Sequence, residues 1–80
     1  MSDYWEKYES FNFLFKESGR VEISKRLEDA RNHVNGMTDG WHAFLTELKV
    51  VQTSYSSSMS SEEKEKLEMM IEDLEINLKI

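Results

Sequence analysis

The chain has 80 residues, enough for one small domain, and its 16 acidic and 10 basic residues give a net charge of −6 at pH 7. It contains no cysteine, which excludes disulfide bonds, thiolate metal ligands and a cysteine nucleophile. The acidic balance disfavours direct binding to nucleic acids or anionic membranes, because both attract lysine and arginine, and it is compatible with a basic protein partner.

Apolar segments are short throughout the chain, and the longest uninterrupted runs have only three residues, too few to span a bilayer. The first residues also lack the basic segment and the apolar run of a secretory signal peptide. We therefore expect residues 1–80 to form a single small helical domain in the cytoplasm.

The first predicted helix runs from about Asp3 to Lys16 and carries most of the aromatic residues of the chain. Asp3 and Glu6 have the spacing of a capping box, with the aspartate as the cap. Spacings of four and three place one set of rings on a single helical face: Tyr4, Tyr8, Phe11 and Phe15, flanked by Leu14. Aromatic residues are weak intrinsic helix formers, and a strand over Phe11–Phe15 is the alternative interpretation.

Two aromatic residues of this helix lie outside the core face. At 100° per residue, Trp5 is rotated by about 100° and Phe13 by about 180° from that face. Large exposed rings are enriched at protein interfaces. We therefore predict that Trp5 and Phe13 form a contact surface, either in a homodimer or with a partner protein.

A break at Glu17-Ser18-Gly19 separates the second predicted helix from the first, and Ser18 is its expected N-cap. The helix continues to about Asn35, and the following Gly36 is expected to adopt the left-handed conformation that ends many helices. A narrow apolar stripe is predicted to face the core: Ile23, Leu27, Ala30 and Val34.

The third predicted helix has the clearest amphipathic pattern and is expected to be the central helix of the fold. It starts at Thr38 or Asp39, either of which can cap it, and ends between Gln52 and Ser57. Its apolar face recurs at spacings of three and four: Trp41, Phe44, Leu45, Leu48, Val51 and Tyr55. The serine-rich stretch 54–61 is the expected loop after it.

The fourth predicted helix begins with a capping box formed by Ser60 and Glu63. Its core face has heptad-like spacing: Leu67, Ile71, Leu74 and Leu78. Four glutamates step by three, four and three beside this face and form an acidic ridge: Glu65, Glu68, Glu72 and Glu75. Residues 59–80 carry −4 of the net charge of −6, so the ridge is either a solvated helix surface or a docking surface for a basic partner.

These segments predict an all-α fold, either a small four-helix bundle or a pair of helical hairpins. The predicted core consists of fifteen residues from the four helices: Tyr8, Phe11, Phe15, Leu27, Ala30, Val34, Trp41, Phe44, Leu45, Leu48, Val51, Leu67, Ile71, Leu74 and Leu78. A core in so short a chain is marginal by itself, which favours a homodimer.

No set of residues in the sequence meets the requirements of a metal site or a catalytic centre. The pairs Asp39 with His42 and Asp29 with His33 have helical spacing, but zinc sites use three or four protein ligands. The serines lack the strand–turn–helix context of a nucleophile elbow, and the three scattered glycines do not form a phosphate-binding loop. We therefore predict a protein without metal, cofactor or enzymatic activity.

Three functional hypotheses follow from these observations. The first is a small acidic, non-catalytic regulator, inhibitor or adaptor that binds another protein through its apolar and aromatic helical surface. The second is an acidic decoy that uses the ridge on the fourth helix to occupy a nucleic-acid-binding or other basic protein. The third is a small-molecule sensor with a pocket between aromatic helices.

Overall fold

The computed structural model describes residues 2–34, 36 and 38–78, and for Ser2, Asp3 and Thr38 it describes the backbone only. Four helices account for most of this range: α1 (Ser2–Glu17), α2 (Val21–Arg31), α3 (Thr38–Ser54) and α4 (Ser61–Leu78). A short 3₁₀ turn, Ser56–Ser58, lies between α3 and α4. No strand occurs in the described ranges, which confirms the all-α prediction and makes the alternative strand over Phe11–Phe15 wrong.

The predicted break between α1 and α2 is confirmed at Gly19, whose φ of 78° is in the left-handed region. The backbone N–H of Arg20 donates to the Phe15 carbonyl at 2.9 Å. The backbone N–H of Gly19 donates to the Lys16 carbonyl at 3.3 Å, which completes a Schellman motif. The predicted Ser18 cap is wrong, because the Ser18 hydroxyl donates back to Phe15 and Arg20 occupies the N-cap position.

The connection from α2 to α3 begins earlier than predicted, because α2 ends at Arg31. The backbone N–H of Val34 donates to the Arg31 carbonyl at 3.0 Å, a bond between residues three apart that tightens the chain after the helix. Gly36 has the expected positive φ, 89°. Helix α3 begins before Asp39, so Asp39 is not its cap. The expected roles of Asn35 and of the Asp3 and Thr38 side chains lie outside the described residues.

The predicted capping box of α4 is confirmed. The backbone N–H of Glu63 donates to Ser60 Oγ at 3.2 Å, and the backbone N–H of Ser60 donates to the Glu63 carboxylate at 2.9 Å. That carboxylate also accepts two hydrogen bonds from the Arg20 guanidinium, at 2.7 and 2.6 Å. The guanidinium donates to the Ser58 carbonyl at 2.7 Å and covers the Phe15 ring at 4.6 Å. This Arg20–Glu63 clasp joins the α1–α2 turn to the start of α4.

The helices form a ring in which α1 packs against α2 and α4, and α3 packs against the same two helices. The starts of α1 and α3 meet at one end, where the ring centroids of Trp5 and Trp41 are 5.2 Å apart. The clasp brings the starts of α2 and α4 together, so successive helices alternate in direction as in a four-helix bundle. Helix α3 contacts α2, α4 and, through Trp41 and Phe44, the aromatic rings of α1, and one side of it stays exposed: Asp39, His42, Thr46, Lys49 and Thr53. That α3 is the central helix of the fold stays a prediction.

The predicted core is confirmed at twelve of its fifteen positions, which are buried. The other three, Val34, Trp41 and Leu78, are partly buried and pack against this core. Four further apolar residues complete it: Tyr4, Ile23, Met59 and Met70. Met59 reaches the core from the serine-rich loop.

None of the described helices combines the length and apolar character that a bilayer span requires. That residues 1–80 fold as one independent domain stays a prediction.

Two buried polar residues link α1 to α2. Ser24 Oγ donates to Asn12 Oδ1 at 2.6 Å, and Asn12 Nδ2 donates to the Glu28 carboxylate at 3.3 Å. Lys16 Nζ lies 2.8 Å from a carboxylate oxygen of Glu28. Hydrogen bonds from Lys16 and then from Asn12 hold the pKa of Glu28 below its usual value. Periodicity does not identify this pair, because it recognises core positions by their apolar residues, and Asn12 and Ser24 are polar residues that are buried through their hydrogen bonds.

We expect Ser24→Ala to lower the free energy of unfolding by about 1–2 kcal/mol, because the buried Asn12 oxygen loses its hydrogen-bond donor. Ser10→Ala is the matched control: Ser10 is exposed on α1, and both substitutions gain the same helix propensity. Urea unfolding followed by circular dichroism measures both changes. Equal effects of the two substitutions would show that the Asn12–Ser24 bond does not stabilise the fold.

Candidate interaction surface

Trp5 belongs to an aromatic cluster at one end of the bundle. Its ring centroid lies 5.5 Å from those of Tyr8 and Phe44 and 5.2 Å from that of Trp41. The Arg31 guanidinium covers it at 4.3 Å. The prediction that Trp5 lies away from the core is wrong, because the end of α2 and the start of α3 fill the space beside it. Trp5 is partly buried, and its role in partner binding stays a prediction.

The hydroxyl groups next to this cluster act as structural donors. Tyr8 Oη donates to the Leu27 carbonyl at 2.9 Å, and Tyr4 Oη donates to the Met70 carbonyl at 3.2 Å. Burial raises the pKa of Tyr8 to about 12, and it raises the pKa of Tyr4 above its usual value as well. Both hydroxyls therefore stay protonated near neutral pH and are unsuited to acid–base chemistry.

Phe13 lies where the sequence predicted, on the exposed side of α1, with 57% of its surface accessible. It borders a shallow groove of about 530 Å³ along that helix. The groove is lined by both polar and apolar residues: Glu9, Ser10, Asn12, Phe13, Leu14 and Lys16. The position makes Phe13 available to a partner.

A second groove, of about 670 Å³, lies between α1 and α4. Its lining combines apolar and charged residues: Glu6, Lys7, Ser10, Phe11, Lys66, Met69, Met70 and Asp73. Ser10 borders both grooves, so the groove beside Phe13 and the groove beside Met69 meet at this residue. We call this region, from Phe13 through Ser10 to Met69, the α1–α4 surface. Sequence reasoning missed it, because the groove exists only where α1 and α4 pack together.

Three of the four glutamates in the acidic ridge predicted on α4 are exposed, and the fourth forms an ion pair with α3. Glu65, Glu68 and Glu72 are exposed. Glu75 is partly buried, and its carboxylate lies 3.1 Å from Lys49 Nζ. Glu75 therefore links α4 to α3, and the glutamates that face solvent are the first three of the ridge.

The ridge lies only in part where the sequence predicted it, beside the buried face of α4. Met69 and Ile76 are 59% and 74% exposed, and they alternate with two of the glutamates at spacings of four, three and four: Glu65, Met69, Glu72 and Ile76. Glu65 and Glu72 thus lie opposite the core and between exposed apolar side chains, whereas Glu68 and Glu75 lie beside the buried face as predicted. We call the five residues Glu65, Glu68, Met69, Glu72 and Ile76 the α4 outer face.

The described residues hold neither a group of metal-ligating side chains nor a buried polar side-chain atom without a partner. In residues 2–34, 36 and 38–78, no three His, Asp or Glu side chains are grouped closely enough to hold a metal ion. Within the same ranges, each buried side-chain nitrogen or oxygen has a hydrogen-bond partner, so none points unpaired into a groove. Comparisons of the chain with protein-family models, with curated proteins and with solved structures find no match.

Proposed function

We propose that this chain is a non-catalytic protein-binding module that acts in the cytoplasm as a regulator, inhibitor or adaptor. The observation that carries the proposal is the exposure of large apolar side chains on two neighbouring helices. Phe13 on α1 and Met69 and Ile76 on α4 are each more than half accessible. Exposed apolar residues that group together, with polar residues around them, are typical of protein interaction sites.

The shape of the surface favours a protein over a small molecule. The aromatic rings of α1 and α3 pack on one another with centroid distances of 5.2–6.3 Å, so they fill the space in which a flat ligand would bind. The α1–α4 groove is open, and its floor residues Phe11 and Met70 are almost fully buried by the fold itself. A small molecule in this open groove would stay exposed to water on one side, whereas a helix or loop of a protein could fill the groove and also cover Phe13.

Site-specific photo-cross-linking in the native host tests the proposal. We expect a photoreactive phenylalanine analogue at Phe13 or at Met69 to form an adduct with one protein. The same analogue at Thr53, which is exposed on α3, is the matched control and should form none. Denaturing gel electrophoresis and mass spectrometry detect the adducts.

Unfolding curves of the three labelled chains must coincide for the comparison to hold. Equal adducts at all three positions would indicate non-specific contact and contradict the proposal. Absence of adducts at both Phe13 and Met69 would remove the proposed surface. An adduct with a second copy of this chain would identify the partner as the homodimer.

A further inference from the structure

We propose that the α4 outer face binds a basic amphipathic helix of a partner protein. This inference rests on the proposed function and specifies the partner for the α4 side of its surface. Met69 and Ile76 are the anchors, and they are seven residues apart, about 10 Å along the helix axis. Apolar anchors separated by two helical turns are the usual means by which one helix engages another.

The fold does not need these two anchors. On α4 the core is formed by the opposite side of the helix, where Leu67, Met70, Ile71 and Leu74 are buried. Met69 and Ile76 are 59% and 74% exposed, so most of their apolar surface is available to a partner. Burying these two side chains in an interface would remove their exposed apolar surface from water and so favour association.

The charge around the anchors selects the partner. Glu65, Glu68 and Glu72 lie along one side of the anchors, and the ion pairs that the structure shows on α4 involve other residues of the helix: Glu63, Asp73 and Glu75. A partner helix with lysine or arginine beside an apolar stripe would place positive charge against these carboxylates. The same charges disfavour nucleic acids and anionic membranes.

A second copy of the chain is a poor occupant of this face. A two-fold symmetric dimer built on the α4 outer face would bring glutamates of one protomer against those of the other. Like charges at close range oppose association, and a basic helix has no such conflict. The charge pattern therefore favours a different protein over self-association at this face.

Fluorescence anisotropy with a defined peptide tests the inference. The probe is a labelled helical peptide of about 20 residues, long enough to form a helix in water, with leucines at spacings of three and four and lysines on both sides of them. We expect it to bind at least tenfold more tightly than a shuffled peptide of the same composition. Met69→Ser with Ile76→Ser should weaken binding about tenfold, and Glu68→Gln with Glu72→Gln should weaken it and reduce its salt dependence.

The controls separate this inference from the proposed function. Equal binding of the shuffled peptide, or of a peptide with glutamate in place of lysine, would overturn it, and so would absence of binding. A dimer in analytical ultracentrifugation that Met69→Ser with Ile76→Ser dissociates would overturn it in favour of self-association. If cross-linking at Phe13 captures a protein while the peptide fails to bind, only this inference falls; if both experiments fail, the proposed function falls with it.

Discussion

Trp5→Ser is expected to lower the free energy of unfolding by about 3 kcal/mol, because Trp5 supports the aromatic cluster of α1 and α3. The substitution removes the ring that contacts Tyr8, Phe44 and Trp41. Each aromatic pair contributes about 0.5–1.5 kcal/mol beyond the area that it buries. The Arg31 guanidinium also loses the ring face that it covers. Urea unfolding followed by circular dichroism measures the change.

Phe13→Ser is the matched control on the same helix. Phe13 lies on the exposed side of α1, so we expect its replacement to change the free energy of unfolding by no more than about 0.5 kcal/mol. With the photoreactive analogue at Met69, Phe13→Ser should reduce the amount of adduct more than Trp5→Ser does, because the Phe13 substitution removes a contact with the partner without disturbing the fold. A large destabilisation by Phe13→Ser, or none by Trp5→Ser, would contradict the assignment of these residues to the surface and the cluster.

The helices and several of their ends could be predicted because their signals are local in sequence. The capping box of Ser60 and Glu63 needs only residues three apart, and the break at Gly19 needs only one residue with a positive φ. The core faces of α1, α3 and α4 follow from spacings of three and four. Nothing in these signals depends on which helix packs against which.

The errors arise where the packing of distant segments decides the result. Whether a residue rotated about 100° from the core face is exposed or covered depends on the neighbouring helices. It faces solvent when no second helix packs on that side, and it is covered when one does. Trp5 is covered because α2 ends and α3 begins beside it, whereas Phe13 lies on the side of α1 opposite the core and is 57% exposed. The α1–α4 groove and the Arg20–Glu63 clasp could not be predicted because they too depend on the packing of distant segments. Arg20 and Glu63, for example, are 43 residues apart.

The candidate site was predicted only in part for a related reason. The helical period alone puts Met69 and Ile76 outside the core face of α4, but it does not show that both are exposed next to the glutamates of the ridge. It also could not show that Glu75 is engaged by Lys49. Exposure is a property of the assembled bundle, and the α4 outer face becomes visible only once the core side of α4 is fixed.

Glu63→Gln is expected to destabilise the fold at neutral pH and to have little effect near pH 2. The glutamine keeps a side-chain oxygen for the Ser60 N–H and loses the charge that pairs with Arg20. Hydrogen bonds from Arg20, the largest cause, lower the pKa of Glu63 to about 2 from its usual 4.5. Because the folded-state pKa is the lower one, the charged pair stabilises the fold above about pH 4.5, and this contribution is lost as the pH falls towards 2.

The expected loss for Glu63→Gln at pH 7 is about 2 kcal/mol, less than the shift alone would give, since the Arg20 side chain is 29% exposed and water screens the pair. Urea unfolding of both chains at several pH values measures the difference, which should shrink steadily below pH 4.5. A difference in the free energy of unfolding that stays constant across this pH range would contradict a charged clasp.

Arg20→Lys is the control for geometry: it keeps the positive charge, loses the two parallel hydrogen bonds, and should recover only part of the stability that Arg20→Ala removes. A full recovery would mean that charge alone, and not the fixed guanidinium geometry, holds the α1–α2 turn to the start of α4.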